Sequence, residues 1–281
     1  MHEKICLYST PFFDVTSYLQ LVDIAAKYQI QNIETINGWE LAKPDLDFAR
    51  KLRSYADEKG IQFTCASVGI NMVGDNWEDM IQEVKGHADV AAILGAPYLH
   101  HTIALSITNP ENTIKNFQLF YERGLTAVRE VYDYAASLGI RTIFEDQGFL
   151  FNGVENFGKF LREVDRNVGV LADFGNIMFV DEFVEDFIPP FADRIVNVHV
   201  KDYIQTMHPT RQPNANEYET LHGNYLEDCA LGDGNVNFEA AFEQLRKIGY
   251  SGYYALECPP QREDAEAAFL KNIAYLESFL P

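Results

Sequence analysis

The sequence has few cysteines, and it contains no long apolar run. Its cysteines, Cys6, Cys65, Cys229 and Cys258, are scattered along 281 residues without a CxxC pair, which argues against a disulfide framework or a structural zinc knuckle. No apolar stretch approaches the roughly 20 residues that a membrane-spanning helix needs. The N-terminus, MHEKICLYSTPFF, lacks the basic region and long apolar core of a signal peptide. We therefore expect a cytoplasmic protein without a membrane partner.

Positive charge is also scarce. There are 42 acidic residues against 22 basic ones, for a net charge of −20, and only seven histidines. No run of lysine and arginine forms a groove for a phosphate backbone, so nucleic acid is not an expected partner. A DNA-repair endonuclease would need several metal ions, and hence more histidines, together with a basic path for the duplex. A small molecule is the expected partner.

What the chain does contain is an alternation of amphipathic helices and short apolar strands. Several helical segments end in a glycine, a residue that tolerates the left-handed backbone of a helix C-terminus. The predicted strands cover residues 4–8, 31–36, 61–68, 97–102, 141–145, 168–173, 195–200 and 252–257. Eight strand–helix units with right-handed crossovers predict an α/β fold, a single closed (β/α)8 TIM barrel over residues 1–281. A doubly wound open sheet is the competing fold, but no GxGxxG motif follows the first strand.

The segment 203–231 interrupts this alternation. It is polar, contains two prolines and shows no sustained period. A long irregular segment inside a compact domain is usually a functional lid or a disordered insertion. Because it follows the seventh strand, we expect a loop or lid over the barrel mouth, or a contact between subunits of a homo-oligomer.

The stretch IVNVHVKD, residues 195–202, shows how polar groups are placed inside this barrel. Valines at positions 196, 198 and 200 alternate with Asn197, His199 and Lys201. Side chains alternate between the two faces of a strand. The valines are therefore predicted to face the helices, and the three polar residues to face the barrel interior.

The last four predicted strands each end in a potential metal ligand: Glu145, Asp173, His199 and Glu257. Active sites of such barrels lie at the carboxyl ends of the strands, so these side chains should meet in one small volume. Three bare carboxylates repel one another there unless their pKa values rise or a cation lies among them. A donor set of oxygens with one nitrogen suits Mn²⁺, Mg²⁺ or Co²⁺, and Zn²⁺ or Fe²⁺ less decisively. We predict one divalent metal ion at these four residues.

These motifs resemble the xylose isomerase-like TIM barrels, a group of sugar phosphate isomerases and epimerases that includes inosose dehydratase and endonuclease IV-type enzymes. The resemblance rests on IFED around Glu145, LADFGN around Asp173, VHVKD around His199, LGDGNVNF at 231–238 and ALEC around Glu257. It implies a metal-dependent isomerase or epimerase that acts on a small ketose or polyol through a metal-stabilised enediolate. It also implies that Glu145 and Glu257 are the catalytic acid/base pair. An inosose-type dehydratase, a lyase that acts on a cyclic polyol, is the alternative. A nuclease or a non-catalytic barrel is less favoured.

The chain departs from the ketose 3-epimerase pattern at three positions that handle substrate in that subgroup. A second Glu is replaced by Phe151, a His by Asn176, and an Arg by Gln205. The metal chemistry therefore transfers to this chain, whereas the epimerase substrate does not.

Other residues are candidates for substrate binding. Together with Asn176 they are Glu34, Trp39, His100, His101 and Lys201. His100 and His101 are adjacent on one strand, so one should face the barrel mouth and the other the helices. Phe12 and Phe13 are further aromatic candidates for packing on a sugar. The insertion adds His208, Arg211 and His222, with no assigned role.

Overall fold

The computed structural model describes residues 2–8, 12, 15–105, 114–258 and 264–280. In chain order its strands are β1 (Ile5–Tyr8), β2 (Asn32–Ile36), β3 (Gln62–Val68), β4 (Tyr98–His101), β5 (Arg141–Glu145), β6 (Gly169–Asp173), β7 (Ile195–Val200), β8 (Asp202–Thr206), β9 (Glu217–Glu219), β10 (Tyr225–Cys229) and β11 (Tyr254–Leu256). Strands β1–β7 and β11 are parallel to their neighbours and close into a barrel in the order β1-β11-β7-β6-β5-β4-β3-β2. The predicted (β/α)8 barrel and its eight strands are confirmed.

Helices follow most of the barrel strands. They are α1 (Tyr18–Lys27), α2 (Leu46–Glu58), α3 (Trp77–Leu94), α4 (Ile114–Ser137), α5 (Val154–Val164), α6 (Val184–Phe187), α7 (Phe238–Lys247) and α8 (Ala265–Glu277), with short 3-10 helices at Trp39–Leu41, Asn176–Val180 and Pro189–Phe191. Asp45 caps the start of α2, accepting a hydrogen bond from the Phe48 amide at 2.9 Å. Gly95 ends α3 in the left-handed conformation, at φ 72°, as the sequence predicts. In the described part of the chain, no helix is long and apolar enough to cross a membrane.

The barrel has an apolar outer layer and a mixed interior. Phe144 of β5, Val170 of β6 and Leu256 of β11 belong to the large core between the strands and the helices. Inside the barrel, Ile143 and Leu171 pack with Cys65 of β3. This alternation follows from the two-residue period of a strand, and it leaves the carboxyl end of each strand free to point a polar side chain inward.

Strand β7 departs from the predicted alternation at one residue. Val198 and Val200 belong to the outer core as predicted, but Val196 packs against the interior cluster of Cys65, Ile143 and Leu171. The register between β6 and β7 shifts here: Val170 pairs with Ile195, and Leu171 pairs with Asn197. The prediction for Val196 was wrong because a β-bulge inserts this residue without a partner on β6.

The segment 203–231 is not an irregular loop. It contains a three-stranded antiparallel sheet in the order β8-β10-β9. These strands could not be predicted from the sequence, because they are short and carry polar residues on both faces and so show no apolar alternation. Arg211 forms two 2.6 Å contacts with Glu217 inside this insertion.

Two carboxylates fasten the insertion to the barrel. Asp181, which follows the 3-10 helix after β6, accepts hydrogen bonds from the side chains of Gln205, Thr220, His222 and Asn224. Asp202 accepts hydrogen bonds from the amides of Tyr203, Gly232, Gly234 and Val236. The LGDGNV turn thus wraps around the Asp202 carboxylate. A Cβ at Gly234 would lie 2.3 Å from an Asp202 oxygen, so this close approach requires glycine.

Candidate active site

Four neighbouring strands of the barrel bring the predicted ligands together at their carboxyl ends. Glu145 ends β5, Asp173 ends β6, His199 lies near the end of β7, and Glu257 directly follows β11. The side chains of Asp173 and His199 are fully buried and that of Glu145 nearly so, whereas that of Glu257 is 29% exposed. Glu257 therefore forms the solvent-facing rim of the cluster.

The His199 imidazole lies at the centre of the cluster. Its Nδ1 atom is 3.0 Å from Glu257 Oε2, 3.8 Å from Asp173 Oδ2 and 3.9 Å from Glu145 Oε2. One ligand atom from each of Glu145, Asp173 and His199 lies within 4.8 Å of the other two. Glu257 joins this group through its hydrogen bond with His199.

Lys201 supplies a positive charge at the same place. Its Nζ atom lies 2.8 Å from Glu257 Oε1 and 3.2 Å from Asp173 Oδ2, and it donates to Asn176 Oδ1 at 3.2 Å. Burial opposes the charged ammonium, but the Asp173 and Glu257 carboxylates raise the pKa of Lys201 well above its ordinary value. Lys201 is therefore a buried cation that neutralises part of the carboxylate charge.

The carboxylates respond differently to this environment. Burial, followed by the charge of Asp173, raises the pKa of Glu145 from 4.5 to about 8. Although burial also acts on Glu257, the charge of Lys201 and the hydrogen bond from His199 hold the pKa of Glu257 well below its usual range. Two acids with pKa values on opposite sides of neutrality can serve as proton donor and proton acceptor.

The donor set fits a divalent metal ion. Glu145, Asp173 and His199 offer two carboxylates and one imidazole nitrogen within 4.8 Å of one another. Asp173 Oδ2 is buried, and apart from the Lys201 ammonium 3.2 Å away it has no hydrogen-bond partner among the described residues. A divalent cation among these groups would compensate the burial of their negative charge.

Two predicted substrate contacts lie beneath the cluster. Glu34, at 0% exposure, is 2.9 Å from His199 Nε2 and accepts a hydrogen bond from Ser67 Oγ at 2.5 Å. His100 faces inward as expected for one of the tandem histidines: its Nδ1 lies 3.0 Å from Ser67 Oγ, and its Nε2 lies 3.6 Å from Glu145 Oε1. Glu34 thus supports the histidines from below.

A cavity of about 330 Å³ lies beside the cluster. It is lined by Ala104, Leu105, Gln147, Gly148, Phe149, Asn176, Phe179, Lys201, Tyr203 and Tyr218. Asn176 and Lys201 are the predicted substrate residues among these. Tyr218 comes from strand β9 of the insertion and packs against Phe179, with ring centroids 5.8 Å apart. The insertion therefore builds part of the cavity wall.

Other predicted residues lie away from this cavity. The His101 ring packs edge-on against Phe144 of the outer core, because alternate residues of β4 face opposite sides. Trp39 packs edge-on against Tyr18, at 4.9 Å. Phe12 packs against Tyr28 and Phe269. The prediction for Phe13 falls outside the described residues.

The three epimerase positions also separate in space. Phe151 is buried and packs on Phe160, with centroids 4.5 Å apart. Gln205 donates to Asp181 and so anchors the insertion. Asn176 alone of the three lines the cavity.

Sequence reasoning missed several residues of the site. Tyr8 ends β1, and its ring lies 4.5 Å from the His199 ring; strand parity was the signal that could have found it. Asp146 is fully buried and accepts a hydrogen bond from the Asp173 amide at 2.9 Å, and burial raises the pKa of Asp146 well above its ordinary value. The contribution of Tyr218 had no sequence signal, because it depends on how the insertion folds.

The family can now be assigned. A model of the xylose isomerase-like TIM barrel family matches residues 22–279. The chain belongs to the xylose isomerase-like TIM barrel family. Among curated members with a similar sequence, an inosose dehydratase from Geobacillus thermodenitrificans is 26% identical over 128 residues, or 44% of this chain and 42% of that enzyme. The chain therefore spans less than half the length of this relative.

Solved structures of the xylose isomerase-like type share the fold over nearly the whole chain. D-Psicose 3-epimerase from Clostridium cellulolyticum, determined with D-tagatose, superposes with a TM-score of 0.77 at 16% identity and 98% coverage of both chains. A xylose isomerase-like TIM barrel protein from Mycobacterium smegmatis, in complex with magnesium, gives a TM-score of 0.70 at 17% identity, with 94% of this chain and 88% of that one covered. At these identities the likeness shows the fold.

Proposed function

We propose that this chain is a divalent-metal-dependent isomerase or epimerase that acts on a small ketose or polyol. The observation that carries the proposal is the buried group of Glu145, Asp173 and His199, with Glu257 at its rim, next to a cavity of about 330 Å³. Cavities of a few hundred Å³ with a few convergent polar groups are typical of small-molecule sites.

Glu145, Asp173, His199 and Glu257 would hold the cation, with Mn²⁺, Mg²⁺ or Co²⁺ favoured by the oxygen-rich donors and Zn²⁺ less so. When bound, the cation supplies Lewis-acid polarisation of the substrate carbonyl. This polarisation makes the hydrogen on the neighbouring carbon more acidic, and the protein must then move that proton.

Glu145 and Glu257 are the proposed acid/base pair. One carboxylate removes the proton from the carbon next to the carbonyl, and the electron pair of the broken C–H bond forms the enediolate. A proton returned to the other face of the same carbon completes epimerisation. A proton returned to the other carbon, while the hydroxyl proton passes to the former carbonyl oxygen, completes isomerisation. Lys201, 2.8 Å from Glu257, holds that carboxylate in its ionised form.

The cavity wall suits a polyhydroxylated substrate. Asn176, Gln147 and Lys201 offer hydrogen-bonding groups, while Phe179 and Tyr218 offer apolar ring surface. Aromatic faces pack against the C–H surface of a sugar while amides and hydroxyls meet its edge. Asn176 and Lys201 therefore remain our substrate-binding candidates.

A dehydratase that acts on a cyclic polyol is the second candidate. It shares the proton abstraction, after which the hydroxyl on the next carbon leaves as water. The arrangement that favours it is the loss of two epimerase contacts: Phe151 packs in the core and Gln205 is bonded to Asp181. The match to an inosose dehydratase supports the same alternative.

A solvent-exchange assay tests the shared step before the product is known. Protein loaded with Mn²⁺ or Mg²⁺ is incubated in D₂O with ketoses, an inosose and hydroxypyruvate, and NMR and mass spectrometry follow the substrate. Deuterium incorporation next to the carbonyl supports proton abstraction. A new stereoisomer or positional isomer then identifies an isomerase or epimerase, and loss of one water identifies a dehydratase.

Variants make this assay specific. Glu145→Gln and Glu257→Gln should lose exchange, whereas Glu243→Gln, on the exposed face of α7, should retain it. Metal content measured on the same preparations separates loss of the ion from loss of the base. If the wild-type protein binds none of Mn²⁺, Mg²⁺, Co²⁺ and Zn²⁺, even weakly, the proposal is overturned.

A further inference from the structure

A chain of hydrogen bonds connects the two inward-facing histidines through Glu34. Glu34 Oε1 lies 2.9 Å from His199 Nε2 and 2.5 Å from Ser67 Oγ. Its other oxygen, Oε2, accepts a hydrogen bond from Asn197 Nδ2 at 2.8 Å. Ser67 Oγ in turn lies 3.0 Å from His100 Nδ1. The five side chains that form this series of hydrogen bonds are all buried.

The directions of these hydrogen bonds are fixed by chemistry. An ionised carboxylate can only accept, so His199 Nε2 must carry the hydrogen that points to Glu34. The Ser67 hydroxyl has one hydrogen, which it donates to Glu34. Its oxygen must therefore accept the hydrogen of His100 Nδ1.

This order leaves the other nitrogen of each ring facing the cluster. His199 Nδ1 donates to Glu257 Oε2 at 3.0 Å in this structure, and it faces Asp173 and Glu145 at 3.8 and 3.9 Å. His100 Nε2 lies 3.6 Å from Glu145 Oε1 and is buried without a hydrogen-bond partner among the described residues. In a neutral imidazole whose first nitrogen carries the hydrogen, the second nitrogen carries a lone pair.

We propose that Glu34 is a positioning residue that holds hydrogens on His199 Nε2 and His100 Nδ1, so that His199 Nδ1 is directed at the cation site and His100 Nε2 presents a lone pair to Glu145. The inference rests on the proposed metal-dependent function. His199 Nδ1 is then the nitrogen that a cation would take over from Glu257, and His100 Nε2 is an acceptor that faces Glu145. Glu34 is not a substrate contact, because it is fully buried beneath the two rings.

The number of donors explains why a carboxylate is needed. Glu34 receives hydrogen bonds from His199, Ser67 and Asn197. A glutamine has one oxygen and one NH₂ group, and the NH₂ group must face one of these donors. If the imidazole of His199 adapts by moving its hydrogen to Nδ1, the nitrogen that faces the cation is lost. Partners of metal-binding histidines typically change metal affinity by roughly 10–100-fold when they are mutated.

Histidine-selective ¹⁵N NMR and Mn²⁺ binding together test the inference. In the wild-type protein loaded with diamagnetic Zn²⁺ or Mg²⁺, we expect hydrogen on Nε2 of His199 and on Nδ1 of His100, with signals assigned from single His→Asn variants. Glu34→Gln should change both tautomers and weaken Mn²⁺ binding, measured by electron paramagnetic resonance, by roughly 10–100-fold.

Ser67→Ala is the matched control, because it removes a hydrogen bond from the same Glu34 oxygen without touching His199. In Ser67→Ala, only His100 should no longer have its hydrogen fixed on Nδ1, and the Mn²⁺ affinity should stay close to that of the wild type. An equal loss of affinity in Ser67→Ala and Glu34→Gln would mean that general packing is responsible, and it would overturn the assignment. So would wild-type His100 with its hydrogen on Nε2, a result that does not depend on whether a variant folds.

Failure of the proposed role of Glu34 and failure of the proposed function give different results. If the wild type binds no Mn²⁺, the proposed function fails. The His100 tautomer can still be read in the metal-free protein, because the 3.0 Å contact of His100 Nδ1 with Ser67 Oγ does not involve the cation. If the wild type binds Mn²⁺ and Glu34→Gln binds it equally well with unchanged tautomers, only the role of Glu34 is refuted.

Discussion

Replacing Lys201 with methionine should strongly destabilise the metal-free protein. The Lys201 Nζ atom lies 2.8 Å from Glu257 Oε1 and 3.2 Å from Asp173 Oδ2. At an effective dielectric of about 20, these separations give gross attractions of about 6 and about 5 kcal/mol. Proton uptake by the orphaned carboxylates limits the net loss to the roughly 3–5 kcal/mol seen when a buried ion pair loses one partner. For a chain of this size that loss lowers Tm by about 6–10 °C.

Thermal unfolding in EDTA measures this loss, and Lys247→Met is its control. Lys247 is also 2.8 Å from its partner, Glu243, but both side chains are more than half exposed, so solvent screens the pair and Tm should hardly change. Mn²⁺ should raise the Tm of Lys201→Met more than that of the wild type, because a divalent cation replaces the missing positive charge. The reasoning is refuted if Lys201→Met melts within about 2 °C of the wild type in EDTA, since that would mean a loss of less than about 1 kcal/mol.

Three further predictions concern pH, the insertion and the cavity wall. Glu145 keeps its proton up to a pKa of about 8 in the folded state but ionises near 4.5 when unfolded, so the metal-free protein should lose stability as pH rises from about 4.5 to about 8. Unfolding free energies measured with urea at several pH values should fall less steeply with pH for Glu145→Gln than for the wild type. An unchanged dependence on pH would contradict the assignment. Asp181→Ala removes the acceptor for four side chains of the insertion, so limited proteolysis should cleave the insertion faster than in the wild type while the barrel remains intact. Tyr218→Ala removes an aromatic wall of the cavity and should raise KM with kcat nearly unchanged. A fall in kcat as large as the fall in kcat/KM would instead place Tyr218 in the chemical step.

The strands and the placement of the candidate ligands could be predicted because both depend on local patterns. Alternation along a strand decides which side chains point inward, and parallel strands place their carboxyl ends at one rim. Glu145, Asp173 and His199 stand at equivalent strand ends in the sequence, and the structure brings them within 4.8 Å. The tandem histidines likewise divide between interior and outer core as parity requires.

The pairings between distant residues depended on tertiary structure. The bulge at Val196 arises from the register between β6 and β7, which no single strand specifies. The strands of the insertion pair with one another and four of its side chains donate to Asp181, and this arrangement carries Tyr218 to the cavity. Glu34 and His199 are separated by 165 residues along the chain. The sequence determined which side chains face the barrel interior, because a strand has a period of two. Which of them hydrogen-bond to one another was decided by strand register and packing, since these set the distances between atoms that are far apart in the chain.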